Sequence, residues 1–401
     1  MGSLNNHGQQ QPIPGAYFGW PGETVSLEQF ENTKSLATTL ASGSSTNAQG
    51  ILPFQQTDVI RNWIMQTNIS QTIAASAAAG VSVYAPYNYI AGGQLTVQNQ
   101  YNLARWENGV DLAIWQLFNP RNKYELRDNL TAAPSTPWAN SAFPGSSLQT
   151  ASGFASSATS AYFEVDLPGA IEFDDYYDLS YNGQVMGAPH RAIVSPQYMA
   201  GTTRTVLPQL TFSQINGTTL DHSVFSGASA ASATATTTFR RQGWFGSSDP
   251  EVLPIVYNWQ HSYDYQTISL AGKNSVTIPF PQTGQVLSFF LRMYDPTANA
   301  PISISAASNI KFQIGSALNV YDDAPKDMQR RFMATHDGVL LPAGVIGYDM
   351  KRDNLGRVTN RLAANTLTTQ NVNLTITFSS ALSSTAYGVL GIESLVFVPV
   401  A

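Results

Sequence analysis

Hydrophobic and polar residues alternate with a period of two through much of this chain. Leu95 and Val97 in QLTVQ, and Phe163, Val165 and Leu167 in YFEVDLP, are separated by single polar residues. Half-buried strands carry this pattern, because successive side chains leave opposite faces of a pleated backbone. The signal strengthens further on. Val276, Ile278 and Phe280 alternate, as do Ile310, Phe312 and Ile314 against Lys311 and Gln313. Val372, Leu374, Ile376 and Phe378 alternate with Asn373, Thr375 and Thr377 without a break. Three runs are apolar on nearly both faces: DVIRNWIM, Val110 to Phe118, and Val286 to Tyr294. The pattern predicts strands held between layers there. Turn signals such as AGKN, DPTANAP and RDNLG separate the runs. Many short strands with few helices predict an antiparallel sandwich or barrel in each half, with room for about eight strands, the size of a jelly roll.

The ends of this pattern suggest the domain organisation. Residues 1–50 read as an N-terminal arm. Ser26 followed by Gln29, with Val25 placed to contact Phe30, forms a capping box with a hydrophobic staple and predicts a short helix. ASGSSTNAQG then reads as a flexible hinge. Residues 226–238, SGASAASATATTT, make the clearest shift of composition. A boundary placed there gives a first β domain over 51–238 and a second over 239–401. The alternative is a long surface loop within one domain.

One helix is expected inside the second half, in DDAPKDMQRRFMATHDG. Asp322 or Asp323 can cap it, Pro325 suits its first turn, and Ala324, Met328 and Phe332 share a face at four-residue spacing. Asp327 is placed to pair with Arg331, and Gly338 to end the helix. The strand VLLPAGVIGYDM follows, through a Pro-Ala-Gly turn. The helix is read as a joint, with Arg330 and Arg331 turned away from the sheet towards an interface between subunits.

Composition narrows the function. The 401 residues weigh 43.3 kDa, enough for two domains that each bury a core. Only 11% are charged, against about 25% in soluble globular proteins, so much of the outside is expected to face other copies. A net charge of -6 and a pI near 5.3 argue against coating nucleic acid, which needs a basic face. The absence of cysteine excludes disulfides, thiolate zinc sites and thiol catalysis. The N-terminus shows no signal-peptide pattern, and the longest apolar runs, Val339 to Tyr348 and Leu395 to Val400, fall short of the roughly 20 residues of a membrane helix.

Candidate chemistry is sparse. The chain has no nucleophile elbow, Walker loop, zincin motif or dinucleotide fingerprint. His7, His190, His222, His261 and His336 include no pair at metal-ligand spacing. The acidic segment EVDLPGAIEFDDYYD holds Glu164, Asp166, Glu172, Asp174, Asp175 and Asp178, whose carboxylates suit glycoside cleavage or calcium. Alternation with apolar neighbours instead reads them as the solvated face of strands. His336 beside Asp337 is poorly placed as a base with an orienting partner. The Asn-x-Ser/Thr matches at Asn68, Asn129, Asn216 and Asn373 read as chance, and Trp63, Trp106, Trp115, Trp244 and Trp259 as packing rather than a sugar platform. No cofactor or metal is expected.

The segments MQRRFMATHDG, LLPAGVIGYDM and KRDN, with AYFEVDLPGAIEFDDYYDLS, TTRTVLPQLTF and LPFQQTDVIRNWIM before them, resemble the major capsid proteins of tectivirus-like bacteriophages, which are tailless and icosahedral with an internal membrane. The resemblance covers about a third of the chain. It implies an all-β double jelly roll, two consecutive eight-stranded jelly rolls with a few short helices and an N-terminal arm. It also implies homotrimers forming pseudo-hexameric capsomers, contacts with neighbouring capsomers and with penton and minor capsid proteins, and an arm lying near the internal lipid membrane. The loop at residues 132–160 would suit the outward end. The subunit would sit in the virion capsid after synthesis in the host cytoplasm, with no catalysis and no sequence-specific nucleic-acid binding. The competing readings are a carboxylate-dependent polysaccharide depolymerase and a carbohydrate-binding β protein.

Overall fold

The computed structural model describes residues 28–53, 58–74, 80–97, 101–118, 157–166, 179–186, 205–217, 223–226, 230–245, 259–281, 285–315, 318–350, 364–365 and 371–397, apart from positions 42, 83, 85, 86, 182, 183 and 337. In the first half the main elements are β1 (Glu28–Leu40), β2 (Thr46–Gln49), β3 (Asp58–Ala74), β4 (Ile90–Val97), β5 (Tyr101–Trp106), α1 (Gly109–Phe118), β6 (Ser157–Asp166), β7 (Thr205–Phe212) and β8 (Ala230–Phe245). They pair antiparallel in the orders β1-β8-β3-β6 and β2-β7-β4-β5.

The second half holds β9 (Trp259–Ser269), β10 (Ser275–Pro279), β11 (Gln285–Asp295), β12 (Ala307–Ile314), β13 (Leu318–Asp323), α2 (Pro325–Thr335), β14 (Val345–Asp349), β15 (Val372–Phe378) and β16 (Tyr387–Phe397). Its sheets run β9-β16-β11-β14 and β10-β15-β12-β13. Each strand of the second half therefore takes the position of the strand eight places before it. Both helices fall between the fifth and sixth strands of their sandwich. The chain builds one Greek-key sandwich twice from sequences with no evident repeat.

Side-chain alternation sets the faces as expected. On β15, Val372, Leu374, Ile376 and Phe378 are buried, and on β10 Val276 and Ile278 are buried between exposed neighbours. On β3, Met65, Thr67 and Ile69 point inward while Asn68 and Ser70 are exposed. Strand β11 is buried on both faces. Phe289, Leu291 and Met293 join the core of the second sandwich, while Phe290 and Tyr294 join the cluster built by the first.

Four expectations from the sequence differ from the structure. Val110 to Phe118 is a helix, α1, not a strand. All ten residues of α1 are buried, so its apolar character runs around the axis and hides the helical period. The Ser/Ala/Thr stretch at 226–238 is neither linker nor loop. Most of it belongs to β8, an interior strand on which Ala233, Ala235 and Thr237 face the core and Ser232 and Thr234 face outward. The proposed boundary at 238 lies inside that strand. Threonine is a good strand former, and Ala233, Ala235 and Thr237 supply the core face of an interior strand, so a linker-like composition here belongs to the sheet. Finally, Gln29 and Phe30 lie in β1, opposite Gly243 and Gln242 of β8, rather than in an arm helix; Ser26 lies outside the described residues. Pairing along a 13-residue strand outweighs a local capping signal. The ASGSSTNAQG hinge likewise contains β2.

Candidate functional site: the joint between the two sandwiches

Helix α1 begins where the Asn108 side chain accepts the Val110 N–H at 2.8 Å, satisfying one of the free donors of a first turn. From it, Asp111, Trp115 and Phe118 reach the second sandwich at spacings of four and three, one face of a helix. The outer face of β9-β16-β11-β14 receives them. Trp115 meets Phe290 edge-on at 4.9 Å and Tyr263 at 5.2 Å between ring centres, and its Nε1–H donates to the Tyr265 hydroxyl at 3.2 Å. Phe118 meets Phe332 of α2 at 4.8 Å and His336 at 5.9 Å. A Cβ at Gly347 would stand 2.7 Å from the Phe118 ring, so this close approach needs glycine.

A charged pair lies within this apolar contact. Arg292 Nε of β11 donates to Asp111 Oδ1 at 3.2 Å, with the two side chains 3% and 0% exposed. The Arg292 guanidinium also lies 5.3 Å from the Tyr84 ring centre, so the first sandwich holds it by charge and by aromatic face together. Burying two charges is costly. Removing one partner leaves the other charge without compensation, which makes the pair a strong constraint on how the sandwiches meet. Burial, with the Asp111 carboxylate adding to it, pushes the Tyr265 hydroxyl well above the ordinary tyrosine range.

Helix α2 closes the other side of the joint. As expected, Pro325 opens it, and Met328 and Phe332 are buried. Its capping differs from expectation. Ala324 is the N-cap, without a side-chain bond; Asp323 accepts the Ala324 N–H at 2.7 Å and Asp322 accepts from Asn309 at 3.0 Å. Asp327 pairs at 3.1 Å with Arg330, not Arg331, on the exposed side. The Arg331 guanidinium instead lies 5.3 Å from the centre of the Tyr348 ring. Gly338, at φ 86°, gives its N–H to Met333 O at 2.8 Å and ends the helix. Nearby, burial and then Asp323 and Asp327 push the Tyr321 hydroxyl up to about 12.

His336 is a core residue. Its ring stacks on Phe332 at 3.9 Å, and its Nε2 faces Asp349 Oδ2 at 3.1 Å, the side chains being 1% and 0% exposed. The partner of the imidazole is thus Asp349, thirteen residues on, rather than the adjacent Asp337, which lies outside the described residues.

Of the acidic segment, Glu164 and Asp166 lie on β6 opposite Gln66 and Ile64, as the strand reading expects. Glu172, Asp174, Asp175 and Asp178 lie outside the described residues, as do His7, His190, His222, Asn129 and positions 132–156 of the loop. Trp106 and Trp115 are buried, in line with packing. Among the described residues no three His, Cys, Asp or Glu side chains gather as metal ligands, and no helix is long and apolar enough to cross a membrane.

No family model matches the sequence, and the search of curated proteins found no match. Solved structures do match, nearly end to end. The STIV MCP shares 12% identity at a TM-score of 0.55, covering 92% of this chain and 97% of that chain. The atomic structure of Sulfolobus Turreted Icosahedral Virus gives 13% and 0.54, over 92% and 91%. The PBCV-1 virus capsid gives 11% and 0.54, over 92% and 94%. These are double jelly-roll viral major capsid proteins. The chain folds as a double jelly roll. Identities this low speak for the fold alone, and the constant offset of eight strands between the two strand orders supports it from within. In the double jelly roll, the joint is the contact between the connecting helix of the first roll and the sheet of the second.

The residue pattern expects α2 to pack on its own sheet and says nothing of the contact between the rolls, to which Phe332 and His336 contribute through Phe118, and it takes α1, the main wedge, for a strand. The signal was present. Asn108 stands before the run as a cap and Asn119-Pro120 stops it.

Proposed function

We propose that this chain is the major capsid protein of an icosahedral virus, a structural subunit whose work is assembly. The supporting observation is the fold: a double jelly roll like those of viral capsid subunits, aligned over more than nine-tenths of this chain and of the STIV MCP. The shortage of charge, 11% of residues, agrees with a subunit packed laterally among copies. In this reading the chain forms homotrimers, each presenting six rolls in a pseudo-hexagonal capsomer. Capsomers meet one another and the penton and minor capsid proteins, and the N-terminal end of the chain, ahead of β1, lies towards an internal lipid membrane in a tectivirus-like particle. The protein waits in the host cytoplasm before joining the virion. Arg330, with its side chain 73% exposed on α2, is the arginine available to a neighbouring subunit, while Arg331 is engaged with Tyr348. The domain division that goes with this reading is two rolls, β1 to β8 and β9 to β16.

Negative-stain electron microscopy of the purified protein tests the reading. Compact trimers with a hexagonal outline are the expected result. Monomers, or elongated trimeric spikes, would overturn it and turn attention to the carboxylates of the acidic segment.

A further inference from the structure

The register of β11 on β14 sets three neighbouring rows on the outer face of the second roll's sheet: Arg292 with Val345, Phe290 with Gly347, and Ser288 with Asp349. Helix α1 meets the first two through Asp111, Trp115 and Phe118. The third row is polar and equally buried, with Glu393 of β16 beside Ser288. His336, the C-cap of α2, reaches its Asp349 end. Both ring nitrogens of His336 face acceptors. Nε2 lies 3.1 Å from Asp349 Oδ2, and Nδ1 lies 3.0 Å from Phe332 O and 2.9 Å from Thr335 Oγ1. The single hydroxyl proton of Thr335 is directed at the carbonyls of Arg331 and Phe332, at 3.1 and 3.0 Å. Nδ1 is therefore a donor, because without a proton its lone pair would oppose Phe332 O. Nε2 faces a carboxylate, so a second proton lies between the ring and Asp349.

We propose that His336 and Asp349 form a proton-binding site, a buried imidazolium–carboxylate latch that holds the joint between the rolls while the proton is bound and loosens it when the proton leaves. The surroundings suit a cation. The imidazole stacks on Phe332 at 3.9 Å with 8° between the planes, and an aromatic face attracts positive charge. Phe118 of α1 touches the Phe332 and His336 rings at 4.8 and 5.9 Å, so the first roll bears directly on the latch. The other charged groups of the packed elements are engaged elsewhere. Arg331 of α2 lies on Tyr348, Asp111 of α1 is held by Arg292 of β11, and Glu393 of β16 accepts the Ser288 hydroxyl. Among the described residues, Asp349 is the ionisable side chain that His336 contacts. Removing the proton leaves a ring nitrogen opposed to an acceptor inside a closed contact, with no water to replace the lost bond. The sign follows: a proton held by the folded chain and released by the unfolded one stabilises the fold at low pH, and that stabilisation is lost as pH rises.

Magnetic resonance of the full chain, grown on histidine labelled at both ring nitrogens, reads the site directly from about pH 5 to about pH 8, where an ordinary imidazole loses its charge. The expected result is one ring, absent from the spectrum of His336→Gln, that keeps both nitrogens protonated after the histidines of the urea-unfolded chain have turned neutral. If that variant does not fold, substituting His7, His190, His222 and His261 in turn assigns the ring by elimination. A His336 ring with one bare nitrogen throughout would overturn the proposal. Over the same range the folding equilibrium constant of the parent, relative to that of Asp349→Asn, should fall by up to about tenfold per pH unit, the slope of one linked proton. Equal slopes would also overturn it. Amide exchange in α1, corrected for its intrinsic rise with pH, should quicken over this range in the parent and not in Asp349→Asn. Exchange in α1 that ignores the proton would confine the pair to α2 and overturn its role at the joint.

Discussion

The sheets β1-β8-β3-β6 and β9-β16-β11-β14 have the same strand order and opposite outer faces. The first shows solvent Thr39, Asn68, Ser70 and Thr234. The second hides Phe290 and Arg292, with Tyr263 and Tyr265 beside them, beneath a helix from the other roll. The connecting helices differ in the same way: α1 is buried at every residue, whereas α2 buries Pro325, Met328 and Phe332 and leaves Arg330 outside. Inward faces carry the topology and so agree between rolls. The outward face of one sheet is covered within the chain by α1, and that of the other is lined by exposed polar residues.

The largest test of this contrast is Arg292→Ala. It leaves Asp111 buried and without its counter-charge, so unfolding by denaturant should show a loss of about 3–5 kcal/mol. Thr234→Ala, at the exposed equivalent face, should stay within about 0.5 kcal/mol of the parent. Equal costs would mean that the two faces do not differ in the way argued. Gly347→Ala comes next. Its Cβ meets the Phe118 ring between the rolls, and overpacking of that kind costs about 1–3 kcal/mol. The paired change Gly347→Ala with Phe118→Leu should recover part of the loss if the clash is the cause.

A smaller effect follows from Tyr265. Its hydroxyl titrates above the ordinary tyrosine value in the folded chain because it is buried near Asp111. The unfolded chain therefore loses that proton first. The stability this group contributes is full below about pH 10, the unfolded tyrosine value, and is lost as pH rises above it towards the raised folded value. Melting temperatures should fall more steeply above about pH 10 for the parent than for Tyr265→Phe. At neutral pH that variant should lose about 1 kcal/mol with the Trp115 hydrogen bond. Parallel alkaline curves for the two proteins would place Tyr265 outside the joint.

The sequence made the second roll more legible than the joint. Strands β10, β12 and β15 each have a core on one side and solvent or polar neighbours on the other, so their alternation is nearly unbroken. Helix α1 has apolar surroundings on all sides, and a period cannot be read where every position prefers the same residues. Its cap and stop residues were the remaining signal. Strand β8 was hidden for another reason: its core face is made of Ala and Thr, whose composition resembles a linker. The pair Asp111–Arg292 spans 181 residues, and no local spacing rule joins positions that far apart. The helix of residues 325–335 was legible because one face is wet, which preserved the spacing of Met328 and Phe332.

A similarly small effect on the isolated subunit is expected at Arg330. Its bond to Asp327 is 3.1 Å long, but the two side chains are 73% and 36% exposed. An ion pair in that setting is screened by water and salt and must hold two mobile side chains in place, so it contributes about 0–1 kcal/mol. Arg330→Ala should therefore leave the denaturation midpoint of the monomer nearly unchanged while the buried counterpart Arg292→Ala moves it far. If Arg330→Ala instead unfolded the subunit as readily, the open side of α2 would be part of the roll's own architecture. A near-neutral result leaves Arg330 with no structural duty inside the chain, and the side chain is then free to serve contact between chains.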